Sequence, residues 1–107
     1  MTWLLRSSDV LAAIEPRDRG WQRSLQGAVV VRRPAVVRTV TAAGELDVAW
    51  CVPATEPTGG LVVVRVATLG RRRVAVPLRA CALVVAPAAA FDRWGLRVGD
   101  CLEVRGE

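Results

Sequence analysis

Glu45-Leu46-Asp47-Val48-Ala49-Trp50-Cys51-Val52 alternates without a break: Leu46, Val48, Trp50 and Val52 fall on one side, and Glu45, Asp47, Ala49 and Cys51 on the other. A repeat of two belongs to an extended chain, whose successive side chains point to opposite faces. The stretch therefore predicts a half-buried strand, with Asp47 on the face opposite the large apolar side chains.

Downstream, Pro53 to Gly60 holds two prolines and two glycines and reads as a loop. Leu61 to Leu69 is the most β-branched stretch, with Val62, Val64 and Val66 predicted on one face and Arg65 on the other; Gly70 ends it. Arg71 to Arg73 leads into Val74, Val76 and Leu78, and the apolar run Ala80 to Ala86 predicts a strand buried on both faces.

Upstream, Trp3-Leu4-Leu5-Arg6 and Val10-Leu11-Ala12-Ala13-Ile14 flank the polar Ser7-Ser8-Asp9, which predicts a hairpin. Pro16 breaks the pattern, and Arg17 to Arg23 reads as a short polar helical segment anchored by Trp21. Ala28-Val29-Val30-Val31 is a further strand, interrupted at Arg32-Arg33-Pro34 before extended structure resumes over 36–41.

The tail Pro87-Ala88-Ala89-Ala90-Phe91-Asp92-Arg93-Trp94-Gly95 predicts a helix over about 87–94. Pro87 suits the first turn and alanine has the best helical propensity, while Gly95 is suited to the left-handed stop. Phe91 and Trp94 share a face, and Leu96 is expected to fold back onto Phe91. Val98-Gly99-Asp100 reads as a turn before a closing strand over about 101–105, with Leu102 and Val104 on one side and Cys101 on the other. The fold class expected is α+β: a β-rich single domain, residues 1–107, of mostly antiparallel short strands forming a compact sheet or small barrel, with a C-terminal helix.

Composition narrows the chemistry. At 107 residues and 52% hydrophobic content the chain suits one core. No apolar run is long enough for a membrane-crossing helix and the first residues do not read as a secretory signal, so the expectation is a cytoplasmic protein without membrane insertion. The chain has no histidine, the usual general base and metal ligand at neutral pH, so histidine-based triads are excluded. Cys51, Cys81 and Cys101 have neither disulfide-framework nor zinc spacing and read as reduced thiols. No metal, no cofactor and no catalytic residue is assigned. The net charge is +5, and all 15 basic residues are arginine, as a GC-rich genome favours; Arg32-Arg33 and Arg71 to Arg73 make a phosphate-binding patch the alternative to solvated edge residues.

Read in order, Trp3-Leu4-Leu5-Arg6, Arg19-Gly20, Gly27 to Pro34, Thr39, Leu46 to Trp50 and Phe91 to Asp100 resemble domain-of-unknown-function family 192, uncharacterised small β-rich proteins of bacteria and archaea. The likeness is closest to short actinobacterial members. The resemblance implies a fold rather than an activity, and it draws attention to Arg19, Thr39 and Asp47 as ligand-binding candidates. This chain departs from the family pattern at Arg38 to Glu45, where a run with histidine and large apolar residues is expected. It departs again at Val84-Val85 and at Ala89, where a Leu-Glu pair and a glycine are expected. Family context further suggests an accessory role in envelope or pilus assembly.

Each candidate has a plainer reading beside the functional one. Asp47 is a polar anchor in a pocket, or a carboxylate that holds the fold. Cys51 is a nucleophile, or a small buried hydrophobe. Trp3, Trp21, Trp50 and Trp94 line a stacking surface, or pack in the core. The function favoured is a non-catalytic interaction or accessory module for a protein partner or small ligand, with a homo-oligomer among its expected forms. An arginine-rich nucleic-acid-binding module and an enzyme using carboxylate and arginine chemistry are the alternatives.

Overall fold

The computed structural model describes residues 1–16, 25–32, 37–38, 45–55, 60–70, 74–75 and 82–106. The described strands are β1 (Thr2–Arg6), β2 (Asp9–Ile14), β3 (Val29–Arg32), β4 (Val37–Arg38), β5 (Leu46–Pro53), β6 (Leu61–Leu69), β7 (Val74–Ala75), β8 (Ala82–Pro87) and β9 (Cys101–Gly106). One helix, α1 (Ala90–Trp94), lies between β8 and β9. Seven strands form one sheet in the order β2-β1-β9-β6-β5-β8-β3, and every neighbouring pair is antiparallel. Strands β4 and β7 pair separately.

The sheet is not closed into a barrel. Among the described residues its outer strands β2 and β3 meet only at a parallel bridge between Ile14 and Ala28, held by hydrogen bonds from Glu15 N–H to Ala28 C=O and from Ala28 N–H to Ala13 C=O. The Glu15 carboxylate reinforces this junction by accepting from the backbone N–H groups of Gln26 and Gly27. Glycine is required at 27 by close approach: a Cβ there would stand 2.3 Å from the Ala13 carbonyl oxygen. Among the described residues a single five-residue helix lies beside this sheet, so their helical share is smaller than an α+β label implies.

The hairpin predicted at the N-terminus is present, with Leu4 opposite Ala12 and Arg6 opposite Asp9. Ser7 and Ser8 both take positive φ, 49° and 74°, as a two-residue turn of type I′ requires if it is to match the strand twist.

Strand β5 corrects the half-buried expectation, because Leu46 to Cys51 are all buried. It has β6 on one side and β8 on the other, and apolar residues cover both of its faces. Leu46, Val48 and Trp50 pack with Val29, Val31, Leu83 and Val85 on one face. Ala49 and Cys51 join Ala82, Val84, Ala86, Leu4, Leu61, Val63 and Leu102 on the other. The same split runs through β8, as its continuous apolar sequence predicted. Short side chains at Ala49, Ala82 and Ala86 leave room on that second face for Ala90, Phe91 and Leu96, the apolar residues of α1 and its exit.

Two further expectations fail for identifiable reasons. The helix does not begin at Pro87, which ends β8 opposite Leu46 and tolerates its missing N–H at a strand terminus. Ala89 follows in the left-handed region at φ 69°, and only then does α1 start. On β6, Val62, Val64 and Val66 do not share one face. The ladder pairs Cys51 with Val63 but Trp50 with Arg65, so Val64 is an inserted residue, and the bulge reverses the alternation. Leu61 and Val63 are buried, whereas Val64 and Val66 are exposed.

The rest of the tail matches its sequence. Gly95 at φ 65° closes the helix with its N–H on Asp92 C=O, and Leu96 N–H returns to Phe91 C=O, the paired bonds of a Schellman stop. The Phe91 and Trp94 rings lie 5.6 Å apart. Leu102 is fully buried and Cys101 exposed. The predicted helical segment 17–23, Pro34 and Cys81 lie outside the described residues, as does most of the 36–41 run. No helix among the described residues is long and apolar enough to cross a membrane.

Candidate functional site

Asp47 is the buried charged residue of the described core, 3% exposed. The β5–β6 register sets Thr68 directly opposite it, and the Thr68 hydroxyl donates to Asp47 Oδ1 at 2.7 Å. Its other oxygen, Oδ2, accepts the backbone N–H of Phe91 at 3.1 Å. Phe91 is the second residue of α1, where an N-cap side chain would normally accept, and the residue in the cap position, Ala89, has no side chain able to do so. A strand carboxylate thus supplies the missing cap, and its negative charge faces the positive end of the helix. A five-residue helix has too few internal bonds to hold itself, so this contact is part of what sets its position.

The opposite end of α1 is fixed in the same way by a distant side chain. The Arg6 guanidinium donates to the carbonyls of Trp94 and Gly95, two groups left without partners by the helix stop. It also pairs with Asp100 at 3.1 Å, and Asp100 Oδ2 accepts the backbone N–H of Arg97 as well. Asp100 and Gly99 are in turn tied to β6 by Val63 N–H to Asp100 C=O and Gly99 N–H to Val63 C=O. The side chains of Asp47, Thr68, Arg6 and Asp100 together frame the helix and the turn into β9.

Of the three residues singled out from sequence, only Asp47 is described; Arg19 and Thr39 lie outside the described residues. Cys51 is buried, with Sγ 3.8 Å from the Ala49 carbonyl, and Cys101 is an exposed thiol at the start of β9. Trp50 is in the core with the Arg65 guanidinium 4.9 Å from its ring centre, a cation–π contact between register partners across the β5–β6 ladder. Trp94 is half-buried against Phe91, and Trp3 is half-buried on β1. Among the described residues, no group of three carboxylates, thiols or histidines is placed to hold a metal ion. An open depression is lined by Met1, Thr2, Ile14, Glu15 and Pro16, away from Asp47.

A second feature was not visible in the sequence. Strand β9 leaves β6 early: its ladder ends at Val62 opposite Cys101, with the Val63 bonds to Gly99 and Asp100 just beyond. From Val64 to Leu69, β6 is paired by β5 alone among the described residues. This edge carries Val64 and Val66, 45% and 38% exposed. Its one charged side chain, Arg65, is drawn towards Trp50.

No family model, curated protein or solved structure matches the chain.

Proposed function

We propose that this chain is a non-catalytic interaction module that engages a protein partner by strand addition along the outer edge of β6. One observation carries the reading: Val64 to Leu69 offers an extended, β-branched backbone with one neighbour among the described residues, and exposed valines. An edge of that kind is a template for another strand, and natural sheets usually blunt it with lysine, proline or a covering element. Here the blunting is slight, namely the bulge at Val64. Asp47 fits such a module as scaffold, since both of its oxygens are taken up in holding Thr68 and α1.

Membership of domain-of-unknown-function family 192 is part of the same proposal. It is supported by Ala89, which takes a left-handed φ of 69° at a position where the family pattern carries glycine.

The test is differential capture from a host lysate on immobilised wild-type protein and on Val66→Lys. The variant changes an exposed position and should keep its unfolding midpoint. Proteins held by the wild type and lost with Val66→Lys are the expected result; the same set retained by both would overturn the reading.

A further inference from the structure

The two ends of the sheet are joined by a latch, and we infer that this latch opens and recloses as one unit while the rest of the fold stays intact, with the Glu15 carboxylate as its catch and β2 as the side that moves. The β6 edge takes no part in it.

Among the described residues this junction is the shortest in the sheet. Every neighbouring pair in the strand order shares a ladder, and the least of these, β6–β9, is reinforced by the Val63 bonds to Gly99 and Asp100. Between β2 and β3 there is only the bridge from Ile14 to Ala28, with Glu15 N–H on Ala28 C=O at 2.7 Å and Ala28 N–H on Ala13 C=O at 2.9 Å. A parallel ladder running back along β2 would bring the Gln26 N–H to the Leu11 carbonyl. Instead Glu15 Oε2 accepts that N–H at 3.0 Å, together with the N–H of Gly27. The carboxylate ends the ladder and replaces it with two charge-assisted bonds. Once it lets go, two backbone bonds are left to hold Ala28.

Burial decides which side moves. Strand β3 is anchored, because Val29 and Val31 are fully buried against Leu83 and Val85 and its ladder with β8 runs its whole length. Strand β2 has no fully buried residue and passes from exposed Asp9 and Val10 to half-buried Leu11 to Ile14. Its ladder with β1 shifts register between Leu4 and Leu5, an irregularity at which the strand can bend. The depression lined by Met1, Thr2, Ile14, Glu15 and Pro16 leaves open space beside the strand end. Opening uncovers Ala28, which is fully buried in the same core cluster as Leu4, and gives solvent a path to that core. Short ladders and few buried side chains are the marks of a unit that opens below the global unfolding energy.

Native-state amide exchange at rising sub-denaturing urea tests this on the wild type, Glu15→Ala and Val48→Ala. In the wild type the N–H groups of Glu15, Gln26, Gly27 and Ala28 should share one opening equilibrium, exchange roughly a hundredfold faster than those of Trp50 and Val84, and respond only weakly to urea, since little surface is exposed. Glu15→Ala should speed exchange at Ala28, whose own bond to Ala13 is untouched, on the order of tenfold. Val48→Ala removes packing that the opened state keeps, so it should speed Trp50 and Val84 roughly thirtyfold and leave Ala28 unchanged. Acceleration of Ala28 alongside Trp50 and Val84 in Val48→Ala, or an equally steep urea response, would mean that the seam opens only by global unfolding and overturns the inference. Four unrelated rates at the seam, or an Ala28 indifferent to Glu15→Ala, overturn it as well. Where Val48→Ala does not fold, the urea response of the wild type decides alone.

Discussion

Strands β5 and β6 are antiparallel neighbours, both mainly apolar and each carrying one charged side chain, yet they occupy opposite environments. In β5 six consecutive residues are buried and the charge, Asp47, is bonded on both oxygens. In β6 burial ends at Val63, and the charge, Arg65, lies over an aromatic ring at the surface. The difference comes from neighbours rather than from composition. Strand β5 has a partner along both edges and apolar residues on both faces, whereas β6 loses β9 after its first turn of ladder. A valine is core or surface here according to what pairs beside its strand.

The sharpest way to break this contrast is at Asp47. Replacing it with alanine strands the buried Phe91 N–H, leaves the exposed Thr68 hydroxyl to water and removes the helix cap, and should cost about 3 kcal/mol in urea unfolding. Asp47→Asn keeps an acceptor and should lose about half as much. Equal losses in the two variants would mean that charge, rather than acceptor geometry, holds α1.

The next test sets one valine against the other. Val48→Ala, in the two-sided core of β5, should cost about 2 kcal/mol through lost transfer energy and a residual cavity. Val66→Ala on β6 should remain within about 0.5 kcal/mol. Similar values for the two would show that the outer edge of β6 is covered in solution.

Arg6→Met tests whether the far end of α1 depends on its clamp. The group is part-exposed at 25%, so its ion pair is discounted for solvent, and the loss expected is about 1 kcal/mol, mainly from the Trp94 and Gly95 carbonyls. Slower exchange at Leu96 in the variant than in the wild type would refute the assignment.

Ala89→Gly should act in the other direction. Alanine at φ 69° carries a left-handed penalty of about 1 kcal/mol that glycine lacks, part of which is returned as unfolded-chain entropy. A net gain of about 0.5 kcal/mol in the same denaturant series is expected, and a loss would argue that the Ala89 methyl is packed.

What the sequence made legible was local. Ser7-Ser8 between two apolar runs gives the hairpin, Gly95 and Leu96 give the helix stop, and the unbroken apolar run through β8 gives a strand buried on both faces. The alternation of β5 correctly sorted its side chains between two faces but could not reveal that both faces are packed, since small residues such as Ala49 and Cys51 read equally as exposed. Pro87 and three alanines have helical propensity, and the ladder with Leu46 overrode it. The bulge at Val64 leaves no mark in a run of valines, because none of its residues is glycine and each suits a strand. At the candidate site, the acidity and face of Asp47 were readable, but its partners Thr68 and Phe91 are brought to it only by tertiary pairing. The same holds for Arg6 and Asp100, at opposite ends of the chain.

The register of β1 against β9 places Thr2 opposite Gly106 and Leu4 opposite Val104. During synthesis, β1 must therefore wait for about a hundred further residues before half of its backbone finds a partner in β9. At about 5–20 residues per second that delay is roughly 5–20 s. The β1–β2 hairpin spends that interval with an unpaired edge, and a topology joined across its whole length belongs to the slow end of folding rates.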